Sequence, residues 1–492
     1  MKDSTKTITN DREISYKEIV IIGNGPSGIT LSFILSGNWC YYNGRIHPDD
    51  MLTARLRSMP QEKSLIEQDL EFLSQGLEGR SRNPVAVLLD SLNHPFDDQD
   101  LQKRAPELLA WKHHPQKYID HVVVGKGNPG GCWHQLDENV TTVSVSSWME
   151  LPGLSFDKWE SKQCNMKVVC SCSDIRPPRR VKIKQVAKYY RDYVQLMKLS
   201  KNFKNFSYVT SIKPIKDKDM YEHILSSCRN EDVQFWEVQG YDVVKKKCFT
   251  YVCRKVVLAT GTSDAHSNLN VPGEFTNTDW IFHDLKQFQN AVVEMKRNQR
   301  SAETDPILIV GSGLSAADAI LKCSQFDHPI LHVFNSYKFL NENNFPKNLY
   351  PEYNHIYKIM KKDIIIDTYK PLMRHVVKEI YSSIKGKRVQ IVSPDGVVSW
   401  HKVSLIVILV GYVPKLTFLP PEFDAGNTLG IHENQPIDSI KNPIRILPWS
   451  YEVANSPPGL YAMGPLVGDN VVRLIHGGAV AIANHLCKRR RK

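Results

Sequence analysis

Two short segments constrain this chain more than any other feature, because each joins an apolar strand to a helix through a glycine-rich turn. Residues 19 to 30 read IVIIGNGPSGIT, and residues 306 to 320 read PILIVGSGLSAADAI. In such a turn one glycine permits the tight bend, one lets the backbone approach a pyrophosphate, and one lets the helix pack closely on its strand. A single match is weak evidence, since a strand, turn and helix can form without a ligand. Two matches predict two nucleotide-binding domains.

The first turn lacks the strand that usually follows within about 20 residues and ends in a carboxylate for the ribose hydroxyls. Residues 38 to 44 have the composition of a loop, and the next β-branched run is residues 121 to 124. We therefore predict that residues 121 to 124 form the second strand and that residues 38 to 120 are an insertion in the first crossover. The insertion is expected to be mainly helical, with one helix over Leu65 to Gly76.

The insertion has two interpretations. The predicted second strand ends without a carboxylate, and a buried ribose hydroxyl without a partner would cost roughly 1 to 3 kcal/mol. Polar residues between Ser64 and Arg82 are therefore expected to meet the adenosine half of a bound dinucleotide. The alternative is a surface excursion that serves only to bind partners.

The composition is that of an ordinary soluble protein, with 41% hydrophobic and 23% charged residues in 492. The apolar run at 405 to 410 is far shorter than the roughly 20 residues of a membrane span, and the first eighteen residues lack the apolar segment of a signal peptide. The ten cysteines lack the spacing of a zinc site, so we expect no metal. The net charge of +11 lies partly in surface-like clusters such as residues 488 to 492, and we expect no nucleic-acid partner.

Further segments repeat the pattern of a strand followed by glycine. They are residues 255 to 261, 406 to 414 and 459 to 470. A helix that begins behind such a turn can receive a phosphate, because its first N–H groups have no partner within the helix. These segments extend the prediction of an α/β fold along the chain.

The motifs, in this order, resemble those of flavoproteins with two dinucleotide-binding domains, and among these the flavin-containing monooxygenases. The matching residues belong to an FAD fingerprint, a GGxW motif, an NADPH fingerprint and a GD pair: Gly23, Gly25, Pro26, Ser27, Gly28; Gly131, Trp133; Gly311, Gly313, Ser315; Gly468, Asp469. The strings EQDLEFLSQGLEGRS, SWMELPGL and GPLVGDNVVR narrow the resemblance to the oxidative-stress-induced growth inhibitor family, from about residue 19 to 486.

This resemblance implies an α/β fold with two Rossmann-like dinucleotide-binding domains, one for FAD and one for NAD(P)H, and a mainly helical insertion in the first crossover. The expected organisation is a polar tail at 1–17, an FAD-binding domain at 18–37 and 121–265, the insertion at 38–120, an NAD(P)H-binding domain at 266–400, a return to the FAD-binding domain at 401–486, and a basic tail at 487–492.

The resemblance also implies FAD and NADPH or NADH as cofactors. The implied activity is that of a flavin monooxygenase, which oxidises a small-molecule or protein nucleophile. The implied biological role is growth restraint and cell-death regulation after oxidative stress. Ser146 is the candidate catalytic residue, because it lies near the position where flavin monooxygenases carry an asparagine beside the flavin. Residues 259 to 261 match the ATG turn between the two domains of monooxygenases, and His283 matches a histidine that follows this turn and more often has a structural role.

Two departures from the family pattern leave other functions open. Arginines that meet the 2′-phosphate of NADPH are replaced by Asn335 and Ser336, so we expect weak or unusual discrimination between NADPH and NADH. The missing asparagine favours a flavin-binding regulator with little turnover. A third possibility is an interaction protein that docks a partner through residues 38 to 120. We expect a location inside the cell, in the cytoplasm before the nucleus or mitochondrion.

Overall fold

The computed structural model describes residues 13–96, 108–163, 179–217, 221, 234–276, 279–298, 305–340, 345–384 and 386–490. The chain divides into two compact units, one formed by residues 1–262 and 414–492 and the other by residues 263–413. Residues 1–12 and 491–492 of the two predicted tails lie outside the described residues.

Within the described residues, the first unit contributes ten strands and six α-helices before the chain leaves it. The strands are β1 (Glu13–Ile22), β2 (Asn38–Tyr42), β3 (Leu109–His113), β4 (His121–Val124), β5 (Thr141–Val145), β6 (Arg180–Lys182), β7 (Phe203–Lys204), β8 (Ser207–Pro214), β9 (Trp236–Asp242) and β10 (Lys247–Leu258). The helices are α1 (Pro26–Leu35), α2 (Asp50–Ser58), α3 (Leu70–Ser74), α4 (Pro84–Asn93), α5 (Phe156–Gln163) and α6 (Ile183–Leu196).

The second unit follows, and the chain then returns to the first. The second unit contains β11 (Ala265–His266), β12 (Ile281–Phe282), α7 (Leu285–Asn298), β13 (Ile307–Val310), α8 (Leu314–Ser324), β14 (Ile330–Phe334), α9 (Pro351–Lys361), β15 (Tyr369–Met373), β16 (Val376–Ser383), β17 (Gly386–Val392), β18 (Val398–Lys402), β19 (Ile406–Ile408) and β20 (Tyr412–Val413). The return supplies β21 (Leu460–Ala462) and α10 (Ile475–Arg490).

The sheet of the first unit has the strand order β7-β4-β1-β10-β9-β8, and β21 also pairs with β10. Strand β1 lies between β4 and β10 and runs parallel to both. Its residues Ile19–Ile22 are buried, as expected for a parallel strand covered on both faces. The prediction that residues 121 to 124 form the second strand is confirmed, because β4 pairs with β1 in parallel.

The insertion differs from its prediction in two places. Residues 38 to 42 form a strand rather than a loop, and β2 pairs antiparallel with β3 at the other end of the insertion. The predicted helix over Leu65 to Gly76 is broken into a 3₁₀ turn (Leu65–Glu67) and the short helix α3. The break occurs at Asp69, whose side chain accepts hydrogen bonds from the N–H groups of residues 71 and 72 and so starts a new helix.

The insertion is part of the core and not a surface excursion. Leu65, Leu70, Leu73 and Leu88 are each at most 1% exposed and belong to the same buried cluster as β1 and α10. The Asn484 side chain on α10 donates hydrogen bonds to two backbone carbonyls of the insertion, at 3.0 and 2.9 Å. The interpretation of the insertion as a surface excursion is therefore wrong, and a partner bound by its exposed side stays a prediction.

The second unit holds a five-stranded parallel sheet of order β12-β19-β13-β14-β15 and an antiparallel sheet of β16, β17 and β18. Strand β19 pairs with β12 and β13, so the second unit extends to Val413 and not to the predicted boundary at 400. Two tail boundaries also change. Residues 13–17 belong to β1, and residues 487–490 continue α10.

The predicted fold class is confirmed, since each unit has parallel strands around a central strand, glycine turn and helix, although the first sheet also carries the antiparallel strands β9 and β8. None of the helices in the described part of the chain combines the length and apolar character that are needed to cross a bilayer.

Candidate nucleotide-binding sites

The first glycine turn joins β1 to α1, and its outer glycines are required by packing. Gly23 has φ +115°, and a Cβ atom there would lie 2.3 Å from the carbonyl oxygen of Ala259. A Cβ atom on Gly28 would lie 2.0 Å from the carbonyl oxygen of Gly23. Neither position can accept a side chain, because both distances are far inside van der Waals contact.

The middle glycine of the first turn is different, because it faces open space. The nearest atom to a Cβ built on Gly25 is the Cα of Gly131, at 4.0 Å. Gly25 is the N-cap residue of α1 and provides no side chain to cap the helix, and Pro26 occupies the first helical position. The free N–H groups of the first turn therefore face a space that suits an anion.

The GGxW segment, residues 130 to 133, lies against the turn between β1 and α1. This is expected if the two motifs belong to one FAD site. The Gly130 N–H donates to the carbonyl oxygen of Asn24 at 2.8 Å, and Gly131 lies opposite Gly25. Trp133 is half-buried, and its ring packs edge to face on Tyr190 with centroids 6.0 Å apart.

The GD pair is also close to the first turn. A Cβ on Gly464 would lie 2.3 Å from the Ser27 hydroxyl oxygen, and the Asp469 N–H donates to the Gly464 carbonyl at 3.2 Å. Gly468 has φ +91°, a conformation that favours glycine. The structure thus brings Ser27 and Asp469 into one neighbourhood across more than 400 residues of sequence.

The Asp469 carboxylate is fully buried and takes three hydrogen bonds from side chains. Ser81 Oγ donates at 2.6 Å, Asn83 Nδ2 at 2.9 Å and Tyr451 Oη at 2.9 Å. Burial raises the pKa of Asp469 to about 6, although these hydrogen bonds act in the opposite direction. Ser81 belongs to the stretch from Ser64 to Arg82 whose polar residues were expected to contact the adenosine half of the dinucleotide. In the structure it contacts Asp469, a residue of the predicted site.

A buried ion pair gives the insertion a second attachment to the return segment. Arg473 Nη2 donates to Asp90 Oδ2 at 2.8 Å, and Arg473 Nε makes the second bond of a bidentate pair. The two side chains are 3% and 10% exposed. The guanidinium also lies over the ring of Trp148, 4.9 Å from its centroid. Sequence reasoning missed this pair, because its members are 383 residues apart.

Ser146, the candidate catalytic residue, is buried where residues 145 and 180 pair. Its backbone N–H donates to the Arg179 carbonyl at 2.8 Å, and its hydroxyl accepts from the Arg179 N–H at 3.4 Å. These bonds give Ser146 a structural task, and its catalytic role stays a prediction.

The second glycine turn joins β13 to α8 and repeats the geometry of the first. Gly311 has φ +135°, and a Cβ there would lie 2.3 Å from the Leu409 carbonyl oxygen. Gly313 is the N-cap of α8, has no capping side chain, and has no atom within 4 Å of a built Cβ. Residues 311 to 315 line a cavity of about 570 Å³ that lies wholly in the second unit.

A buried histidine supports this turn. His332 lies on β14, its Nε2 is 2.7 Å from the Gly311 carbonyl oxygen, and its Nδ1 is 2.6 Å from the Tyr369 hydroxyl. A carbonyl can only accept, so Nε2 carries the proton and Nδ1 accepts from the tyrosine. Burial lowers the pKa of His332 to about 4, which keeps the ring neutral. No sequence motif indicated this residue.

Three histidines line the cavity, and His332 is not among them: His266, His283 and His375. The predicted residue His283 has its Nε2 2.8 Å from the carboxylate of Glu274, which is 1% exposed. Burial would raise the pKa of Glu274, but the hydrogen bonds from His283 and backbone amides outweigh it, and the pKa is lowered. His283 is thereby fixed in orientation.

No family model matches the chain. It is 38% identical over 510 residues to oxidative stress-induced growth inhibitor 2 from Homo sapiens, covering 99% of this chain and 96% of that protein. It is 36% identical over 486 residues to oxidative stress-induced growth inhibitor 1 from Mus musculus, covering 96% and 95%.

Solved structures of lower identity share the fold. A bacillithiol disulfide reductase from Bacillus cereus has a TM-score of 0.56 at 14% identity, covering 96% of this chain and 100% of that one. An ornithine N-hydroxylase from Kutzneria, solved with reduced FAD, NADP⁺ and L-ornithine, has a TM-score of 0.53 at 12% identity, covering 97% and 100%.

Proposed function

The chain belongs to the oxidative stress-induced growth inhibitor family, and from this membership and its two glycine turns we propose that it is an FAD-dependent, NAD(P)H-using monooxygenase-like protein. Its role is growth restraint and cell-death regulation linked to oxidative stress. The observation that carries the proposal is that each unit presents an uncapped helix behind a turn whose middle glycine faces open space.

FAD is assigned to the first unit. The N–H groups of Ser27 and Gly28 would receive its pyrophosphate, and Gly25, where a built Cβ meets nothing nearer than 4.0 Å, leaves room for close approach. Asp469 has a structural role beside this turn, because its carboxylate accepts hydrogen bonds from three side chains and so links the insertion to the return segment. These residues fit a dinucleotide, because the glycine turn has no side chain where the pyrophosphate would lie.

NADPH or NADH is assigned to the second unit. Gly311, Gly313 and Ser315 line the cavity, whose volume of about 570 Å³ lies within the usual range for a ligand site. The His332 ring donates a hydrogen bond to the Gly311 carbonyl and so fixes the orientation of this peptide group. The N–H groups at the start of α8 are then left to face a phosphate.

Bound FAD, reduced by NAD(P)H, supplies the reaction with dioxygen that places one oxygen atom on a soft nucleophile such as sulfur or nitrogen. The chain's own task is to orient the cofactors and to exclude water. Trp133 is the residue of the GGxW motif that suits the second task, because its ring is braced by Tyr190. The nucleophile is a small molecule or a side chain of a protein.

A second candidate is a flavin-binding regulatory protein with little turnover. The observation that favours it is the burial of Ser146, whose hydroxyl accepts a backbone N–H where residues 145 and 180 pair. A hydroxyl in that setting is poorly suited to assist oxygen transfer.

Purified protein supplemented with FAD provides the test. Flavin absorbance after removal of free FAD measures binding, and anaerobic mixing with NADPH or NADH measures reduction of the flavin. Oxygen transfer is then scored as oxidised thiol or amine against released hydrogen peroxide. A monooxygenase should reduce its flavin and yield oxidised nucleophile, whereas a regulator should hold flavin and reduce it slowly. A protein that retains no flavin contradicts both candidates.

A further inference from the structure

The sheet of β16, β17 and β18 in the second unit has one buried face and one face open to solvent. Val377, Ile380, Val389 and Ile391 form much of the buried face and are each at most 4% exposed. Side chains alternate between the two faces of a strand, so the residues next to these point outward. The open face consists of three rows across the strands: Val376, Val392 and Val398; Glu379, Gln390 and Trp400; Tyr381, Arg388 and Lys402.

Strand β18 is a free edge of this sheet, since it pairs only with β17 in the described part of the chain. The Val403 N–H donates to the Lys387 carbonyl at 3.2 Å. At the other end, the Ser393 N–H donates to the Val397 carbonyl at 3.0 Å. Hydrogen-bonded pairs alternate along an antiparallel ladder, so the N–H and C=O groups of residues 398, 400 and 402 point away from β17. No backbone group among the described residues pairs with them, and such an edge can accept another strand.

Two cations lie directly opposite each other on the open face. Arg388 on β17 faces Lys402 on β18 in a non-hydrogen-bonded pair, the kind in which Cα atoms approach to about 4.5 Å. Like charges in this arrangement are destabilising. Both side chains are exposed, and neither forms an ion pair with a carboxylate within the described residues. An anion supplied from outside the chain would therefore stabilise this pair.

Exposed apolar side chains adjoin the two cations. Trp400 is 47% exposed, Val398 is 55% exposed and Tyr381 is 50% exposed. Trp400 and Lys402 are two residues apart on the edge strand, so their side chains stand next to each other on one face. A strand added beside β18 would bring an apolar side chain to Trp400 and, two residues along, a carboxylate to Lys402.

We propose that β18 binds an acidic peptide in an extended conformation, which adds to the sheet as a fourth strand. Backbone hydrogen bonds provide affinity, Trp400 contacts an apolar side chain, and Arg388 and Lys402 bind carboxylates of the peptide. A second copy of this strand would not supply the anion, because residues 397 to 403 contain no carboxylate. The inference concerns a partner and does not depend on the ligands of the two glycine turns.

The partner chemistry is tested with a phage library of random heptapeptides, selected on the purified full-length protein. Selected peptides should carry a glutamate or aspartate two positions from an apolar residue. The most frequent peptide, labelled with fluorescein, then serves as the probe in fluorescence anisotropy. R388E/K402E keeps a like-charge pair but reverses its sign, so it should weaken binding of the probe at least about tenfold. Added salt should weaken binding to the wild-type protein.

Two further variants separate charge from strand pairing. K286E is the matched control, since Lys286 is an exposed cation on α7 in the same unit, and it should bind the probe as wild type does. V398P removes an N–H that points away from β17, at the first position of the strand, where proline is tolerated. It should weaken binding several-fold while the charges of the face stay unchanged.

The outcomes that overturn the proposal are distinct. A selection that yields no binding peptide, or peptides without acidic residues, contradicts an acidic partner. Binding that is as tight in R388E/K402E or V398P as in wild type excludes this edge as its site. A dimer in sedimentation that V398P converts to a monomer would assign the edge to a second copy of the chain instead. Equal thermal midpoints establish that the variants are folded.

Discussion

The two glycine turns share a backbone design but have different surroundings. In both, the first glycine approaches a carbonyl oxygen that leaves no room for a side chain, and the middle glycine faces open space. The third position differs, since Gly28 in the first turn is replaced by Ala316 in the second. The first turn is surrounded by buried polar contacts from the insertion and return segments, whereas the second borders a cavity lined by histidines.

The second strands of the two units extend the comparison. Each carries a buried histidine, His121 on β4 and His332 on β14, and burial lowers the pKa of both to about 4. His121 Nδ1 donates to the carbonyl of Ile119, and its Nε2 accepts from Ser32 on α1. His332 instead donates to the carbonyl of Gly311 in the turn itself. The same residue type therefore fixes a helix in one unit and the glycine turn in the other.

The comparison teaches that the first unit depends on distant segments and the second on neighbouring strands. The first unit needs residues 81 to 90 and 469 to 473 to meet, and they are almost 400 residues apart. The second unit obtains the support of its turn from the neighbouring strand β14.

The largest expected effect comes from separating the insertion from the return segment. R473M leaves the buried carboxylate of Asp90 without its partner, which should lower the free energy of unfolding by about 3–5 kcal/mol. Denaturant unfolding followed by flavin release and circular dichroism measures the loss. The double variant D90L/R473M should recover much of it, because no uncompensated charge remains.

The exposed pair Lys17–Asp120 is the control for this prediction. Its side chains are 30% and 44% exposed at a distance of 3.0 Å, so K17M should change stability by about 0–1 kcal/mol. A loss in R473M no larger than that in K17M would mean that the insertion is not anchored by this pair.

The next effect concerns proton uptake at the second turn. The folded pKa of His332 lies below the ordinary value of 6.5, so the unfolded chain binds a proton that the folded unit excludes. As pH falls from 7 to 5, this residue should lower the free energy of unfolding by about 2 kcal/mol. Denaturation at both pH values should show that H332Q loses this dependence, whereas H355Q, an exposed control on α9, retains it. Equal pH dependence in wild type and H332Q would remove His332 as the cause.

Asp469 should respond in the opposite direction and more weakly. Its folded pKa is raised from 3.8 to about 6, so the folded unit binds the proton more tightly than the unfolded chain. The contribution of Asp469 to the free energy of unfolding is fully present below pH 3.8 and is lost as the pH rises through 6. Between pH 7 and 5 the gain on acidification should be about 1 kcal/mol. D469N should lack it, and D424N, an exposed control, should keep it. If wild-type protein instead lost stability relative to D469N between pH 7 and pH 5, the raised pKa of Asp469 would be contradicted.

Sequence reasoning predicted the local parts of this molecule well. The glycine turns, the parallel strand at residues 121 to 124 and the family resemblance all depend on short strings whose chemistry is local. The strand over residues 38 to 42 could not be predicted in the same way, because its partner lies about 70 residues away and its composition resembles a loop.

The supporting contacts were out of reach for a related reason. Nothing in the strings around Asp90 or Gly311 indicates that Arg473 or His332 is the partner, since that depends on how distant segments pack.

The assignment of two ligands to two turns is tested most directly by placing one carboxylate in each. G25D should purify without flavin and still bind NADP⁺ or NAD⁺, because the added charge repels only the pyrophosphate of the first site. G313D should keep its flavin and lose the binding of both nicotinamide dinucleotides. G76D, at an exposed glycine with φ +70° and open space around it, should keep both ligands. Full flavin occupancy in G25D, or loss of flavin in G313D, would contradict the assignment.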